Sequence, residues 1–217
     1  MQDMLIDFKL TGKTVLIFGG GKTGEKKAKK FSQANSTVIV VSKDFTDGLK
    51  RLSQQGKLKL VEAKLEIDSP SITSLISKSD LVIAATNDPT LNENFVNEAR
   101  KRGILVCTVD MPSINDFNIP AIAHIGEIRI AISTGGKSPA MARILRKRVE
   151  EIITKEDVLQ VELQHYARNL VKSHIPDEKA RRDVLYKIIQ NSSIKQLLKE
   201  GNLKEAEALA KQIVEKY

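Results

Sequence analysis

The sequence predicts an α/β protein whose N-terminal part is a doubly wound parallel sheet. Three features carry this: short apolar runs, helix-forming stretches between them, and a glycine-rich turn where the first run meets the first helix. The runs are apolar throughout rather than alternating, as expected of strands covered on both faces.

Residues 14–18 form the first expected strand, ending in Gly19-Gly20-Gly21, and residues 25–33 the first helix. Strands over 37–41, 58–62, 81–85 and 104–109 follow, separated by helices over 47–55, 69–77 and 89–102, the last capped by Asp88 with Pro89 in its first turn. After Pro112 the pattern changes. Residues 117–122 and 127–133 are strand-like, the second alternating as a half-exposed strand in a small sheet or at a subunit seam does. Ser138-Pro139 starts a helix reaching residue 153, with Ser as N-cap and Pro at the first helical position. From Lys155 onward the chain reads as helix, interrupted at Ile175-Pro176-Asp177 and at Gly201-Asn202. The expected divisions are a nucleotide-binding domain over 1–112, a short β segment with a glycine-rich helix start over 113–149, and a helical domain over 150–217.

With 217 residues, 41% hydrophobic and 29% charged, the chain can bury a core, which excludes a disordered or collagen-like protein. A single cysteine, Cys107, excludes an intrachain disulfide and a cysteine-built metal site and favours a reducing compartment. No apolar run approaches the ~18 residues of a membrane span, and Asp3, Asp7 and Lys9 interrupt the N-terminal segment, so a cytoplasmic protein without a membrane partner is expected. His124, His165 and His174 lack metal-ligand spacing, so no metal site is expected. The net charge of +8 suggests a polyanionic partner and is concentrated over 22–30 and 137–148. Neither cluster contains an aromatic stacking platform, which argues against nucleic acid.

Gly19-x-Gly21-x-x-Gly24 follows a strand and opens a helix, the context that gives a dinucleotide fingerprint its meaning. Gly19 permits the tight turn, Gly21 the approach of a pyrophosphate, and Gly24 close packing of helix on strand, with the amides of Gly21, Lys22 and Thr23 facing the anion. The second strand ends Val41-Ser42-Lys43-Asp44. Ser42 stands where an NAD enzyme would carry the ribose-binding acid, Asp44 is a displaced acid, and Lys43 is able to meet a 2′-phosphate, so NAD and NADP both stay open. Thr86 and Asn87 lie at the carboxyl edge of the sheet, where they line a ligand crevice or form an ordinary polar loop. Asp110 ends the fifth strand at that edge and serves there as general base or as turn former. Ser133, Thr134, Gly135, Gly136, Lys137 and Ser138, with Arg143, make a second helix N-terminus whose free amides cradle carboxylates or are simply capped.

GGGKTGEKKA at 19–28, AATND at 84–88, VDMP at 109–112 and STGGKSPAMARILR at 133–146 together resemble the siroheme-synthase dehydrogenase/chelatase family, in matching order over about residues 5–149. The resemblance implies a Rossmann-like domain, NAD-dependent oxidation of precorrin-2 to sirohydrochlorin, and in some members insertion of ferrous iron. It also implies a homodimer joined through the strands after Pro112 and a helical domain that helps cover the cleft. Gly19, Gly21, Lys22, Thr23 and Gly24 fall on the family's cofactor turn, and Asp110 matches the aspartate of its Val-Asp-x-Pro motif, implicated in catalysis. Gly24 stands where relatives often carry Ala, with either small residue expected to fit. Precorrin-2 is a polycarboxylate, so Lys137, Arg143 and Arg146 would attract and orient it. The reading from another class is an NAD(H)-binding sensor that docks a tetrapyrrole-pathway enzyme; it would need neither a base nor a polycarboxylate cradle.

Overall fold

The computed structural model describes residues 4–217. Asp3, one of the charges weighed above, lies outside the described residues. The chain divides into two compact units, 1–119 and 120–217.

In the first unit the order is β1 (Thr14–Phe18), α1 (Lys22–Ser32), β2 (Thr37–Ser42), α2 (Asp47–Gln54), β3 (Lys59–Glu62), α3 (Pro70–Ser77), β4 (Leu81–Ala84), α4 (Pro89–Arg100) and β5 (Leu105–Thr108). All strands pair in parallel in the order β3-β2-β1-β4-β5. The order reverses between β1 and β4, which makes the carboxyl ends of those two strands the crevice where doubly wound sheets take ligands. The apolar runs are explained by two cores. Val15 and Ile17 of β1 face one, with Ala28, Phe31 and Leu49. Leu16 and Phe18 face the other, with Ile72, Ile76 and Val96. Phe18 stacks on Phe95 of α4 with ring centroids 3.8 Å apart. Cys107 is buried in the first core, which pushes its thiol pKa up and leaves it a small apolar filler.

At the opposite edge of the sheet Asp80 joins β1 to β4. Its carboxylate accepts from Lys13 Nζ at 2.7 Å and from the Thr14 amide at 2.8 Å. These bonds, that from Lys13 first, hold the carboxyl below its usual value.

The second unit contains an antiparallel hairpin, β6 (Ala121–Ile125) and β7 (Ile128–Ile132), then α5 (Pro139–Ile152), α6 (Lys155–His174), α7 (Glu178–Gln190), α8 (Ser192–Lys199) and α9 (Leu203–Glu215). The expected strand over 117–122 is displaced to β6. Phe117 and Ile119 instead pack on the first core, and Asp116 is tied to β5 by its amide to Val106 O and by Val106 N–H to its carboxylate, both 2.9 Å. These contacts also explain why the first unit runs on past Pro112 to residue 119. Thr154 and Asp157 form a capping box at the start of α6. Leu163, Ala167, Val184, Ile188, Ile194 and Ala210 are among the residues that fill the helical core.

Candidate active site

The glycine turn is built by close backbone approach. Gly19 has φ +115°, its amide donates to Val41 O at 2.9 Å, and a Cβ there would lie 2.3 Å from Ala85 O. The ends of β1, β2 and β4 are thereby drawn together. A Cβ on Gly24 would lie 1.9 Å from Gly19 O, so alanine does not fit here as freely as expected; α1 sits too close to the turn. Gly20, absent from the fingerprint reading, is equally constrained. Its Cβ would fall 2.0 Å from Asp44 O and 2.9 Å from Ser42 Cβ, and its carbonyl accepts from Thr46 N–H at 3.0 Å.

Gly21 differs. Its backbone is extended, a Cβ would meet nothing within 4 Å, and it caps α1 without a side-chain hydrogen bond. The first backbone bond of the helix runs from Glu25 N–H to Gly21 O at 2.9 Å, so the amides of Lys22, Thr23 and Gly24 have no intrahelical acceptor. An uncapped helix start with open space over its glycine fits a dinucleotide pyrophosphate. Ser42 is half-buried beneath this turn, and Lys43 and Asp44 are exposed beside it.

Across the switch point, one buried side chain organises the ends of β4 and β5. Asn92, on α4, is fully buried. Its Oδ1 accepts from the Thr86 amide at 3.0 Å and the Thr86 hydroxyl at 2.7 Å, while its Nδ2 donates to Thr86 O at 3.2 Å and to Asp110 Oδ2 at 2.9 Å. The amide's hydrogen-bonding capacity is thus fully used. The Thr108 hydroxyl donates to Asp110 Oδ1, and Thr108 is itself held by Asn115, whose Oδ1 accepts from its amide at 2.6 Å. Asp110 is an exposed carboxylate on a rigid mount. Desolvation pushes its pKa up, but the bonds from Thr108, Asn92 and the amides of Asp110 and Met111 outweigh this and hold it below the usual aspartate value. Asn87 is exposed at the same loop, and Asp88 caps α4 through Leu91 N–H at 3.1 Å. Sequence reasoning missed Asn92, Thr108 and Asn115. The signal for Asn92 was its place on the stripe shared with Phe95, Val96 and Ala99, a polar residue at a core position.

The Ser133–Arg146 set belongs to the second unit. Gly135 and Gly136 have φ +58° and +78°, a left-handed pair that glycine permits. Most of the amides read as either free or capped are used inside the loop. Gly135 N–H donates to Ser133 Oγ at 3.2 Å, Lys137 N–H to Thr134 O at 3.1 Å, Ser138 N–H to Thr134 Oγ1 at 3.1 Å, and Met141 N–H to Ser138 Oγ at 3.2 Å. Side-chain charge is what the segment offers instead: Lys137 and Arg143 are exposed, whereas Arg146 is paired with Glu150 one turn on.

A parallel sheet with an uncapped glycine turn at its switch point and a braced carboxylate beside it defines an NAD(P)-binding oxidoreductase. Residues 6–121 match the family model described as putative NAD(P)-binding, and residues 126–152 the model for the central part of sirohaem biosynthesis proteins. The precorrin-2 dehydrogenase of Methanosarcina barkeri is 36% identical over 186 residues, 85% of this chain and 82% of that protein. The putative precorrin-2 dehydrogenase of Methanocaldococcus jannaschii is 31% identical over 92% of this chain and 95% of its own length. The chain belongs to the precorrin-2 dehydrogenase and siroheme synthase family. It spans 43% of the siroheme synthase of Nitrosococcus oceani, at 31% identity. The solved structure of SirC, a precorrin-2 dehydrogenase, has the same fold, with TM-score 0.75, 21% identity, and 99% of this chain and 100% of that one covered.

Proposed function

We propose that the protein oxidises precorrin-2 to sirohydrochlorin with NAD. The observation that carries this is Asp110, fixed by Asn92 and Thr108 at the carboxyl edge that also bears the glycine turn. When bound, the nicotinamide supplies the hydride acceptor. The amides of Lys22 and Thr23 hold the pyrophosphate, Ser42, Lys43 and Asp44 meet the adenosine ribose, and Thr86 and Asn87 line the nicotinamide end. A hydride and a proton leave the macrocycle. Loss of hydride generates positive charge in the macrocycle, which acidifies the neighbouring proton, so a carboxylate of low pKa suffices as base and also stabilises that charge. Asp110 accepts the proton, directly or through one water. Lys137 and Arg143, with Ser133, Thr134, Gly135, Gly136 and Ser138 shaping their loop, bind the substrate carboxylates, and Arg146 does so in exchange for its pairing with Glu150.

The enzyme acts as a homodimer in this reading, because a two-stranded sheet leaves strand edges unpaired and β7 places Arg129 and Ala131 on its exposed face. Among the described residues no helix is long and apolar enough to cross a membrane, and the lone, buried Cys107 suits a reducing cytoplasm. The test is an anaerobic assay with precorrin-2 and NAD that follows NADH and sirohydrochlorin together, followed by ferrous iron. Matched formation of both products supports the dehydrogenase, and conversion above a no-enzyme control on adding iron extends it to chelation. Tight NAD binding without turnover by folded protein favours the sensor.

A further inference from the structure

The helical unit contains a groove of about 860 Å³ between α6 and α7, a volume typical of small-molecule sites. Arg168 and Lys172, one turn apart on α6, line one wall, and Arg181 and Arg182 of α7 line the other, each one turn from Glu178, the carboxylate of the lining. Among the described residues Arg168, Lys172 and Arg182 have no ion-pair partner, and Arg181 meets only the carbonyl of Ile175, at 3.4 Å. Gln164, which also lines the groove, has its side-chain nitrogen buried without an acceptor. Val161, Val171 and Leu185 add aliphatic side chains to this lining, and His165 a further polar one.

We infer that this groove binds an organic polycarboxylate with an apolar body. Four cations against one acid select a multiply charged anion, and guanidinium groups pair with carboxylates in two-point fashion. Inorganic phosphate would leave Val161, Val171 and Leu185 without a partner, whereas a ligand with an apolar body covers them. The choice of ligand class rests on the proposed reaction, whose substrate and product are both polycarboxylated macrocycles. The groove gives them a second point of attachment, on the helical unit.

The experiment titrates the full chain with uroporphyrin I, a stable octacarboxylate porphyrin, by fluorescence and hydrogen exchange. Binding should protect α6 and α7 from exchange. Arg168→Gln with Arg182→Gln should weaken that binding about tenfold, and Glu178→Gln, which removes the opposing charge, should tighten it about threefold. Coproporphyrin, with half the carboxylates, should bind more weakly. Identical isotherms for the three proteins, or tripolyphosphate binding as tightly as uroporphyrin, would overturn the inference. NADH formation is followed in the same preparations. Groove-dependent binding without turnover would sink the proposed reaction and leave the groove standing, whereas turnover with binding indifferent to these substitutions would do the reverse.

Discussion

Asn92 Nδ2 donates to Asp110 Oδ2 across 2.9 Å, joining the first turn of α4 to the end of β5. Because the same amide also holds Thr86, the loop after β4 and the carboxylate after β5 move as one piece. Replacement of Asn92 by Ala should therefore cost about 1–3 kcal/mol of stability, since it strands buried hydrogen-bonding groups. It should also lower kcat by roughly 10–100-fold through misplacement of Asp110. The hydrogen bond lowers the Asp110 pKa, so its loss should move the acid limb of the kcat/KM profile to higher pH. A purely structural residue would leave that limb in place.

Asp110→Asn keeps the shape and removes the base. NADH formation should fall by about 10²–10⁴-fold, with thermal unfolding and NAD affinity close to wild type. Full activity in a folded variant would remove Asp110 from the chemistry.

Two glycines three residues apart should respond differently to alanine. Gly24→Ala drives a Cβ against Gly19 O and should destabilise by about 1–3 kcal/mol, read as a lower urea midpoint. Gly21→Ala meets no protein atom, so it should cost only the helix-capping preference for glycine and no clash, while weakening NAD binding about tenfold by crowding the pyrophosphate. Calorimetric binding and melting of both variants separate the two effects.

The Asp80 carboxyl is held below its ordinary value by Lys13 and the Thr14 amide. Its folded pKa is depressed, so its contribution is present above the unfolded pKa, about 4, and is lost as pH falls through the folded value. Lys13 and Asp80 are 44% and 35% exposed, so solvent screens the pair and the contribution is of order 1 kcal/mol. Asp80→Asn should lower the urea midpoint at pH 7 and flatten its fall below pH 4. Parallel curves for the two proteins would contradict this.

The elements that proved legible are those whose signal is local. The strand-turn-helix at 14–32, the N-caps Asp88 and Ser138 and the break at Ile175-Pro176-Asp177 rest on neighbours in sequence. The expected strand at 117–122 failed because Phe117 and Ile119 have the composition of a strand but are captured by a core formed much earlier in the chain. The amides of 135–138 looked available because no sequence pattern states whether a serine or threonine a few residues away will turn back to accept them.

By itself the sequence determined the alternation of strands and helices, the glycines of the cofactor turn and the presence of Asp110 at a strand end, all of them consequences of backbone preference and hydrophobic period. Only the tertiary structure decided that Asn92 is the brace for Asp110, that Gly24 has no room for a methyl group, and that four cations of α6 and α7 share a groove. Those facts depend on distances between segments far apart in the chain. Only packing the sheet against its helices, and helix against helix, sets such distances.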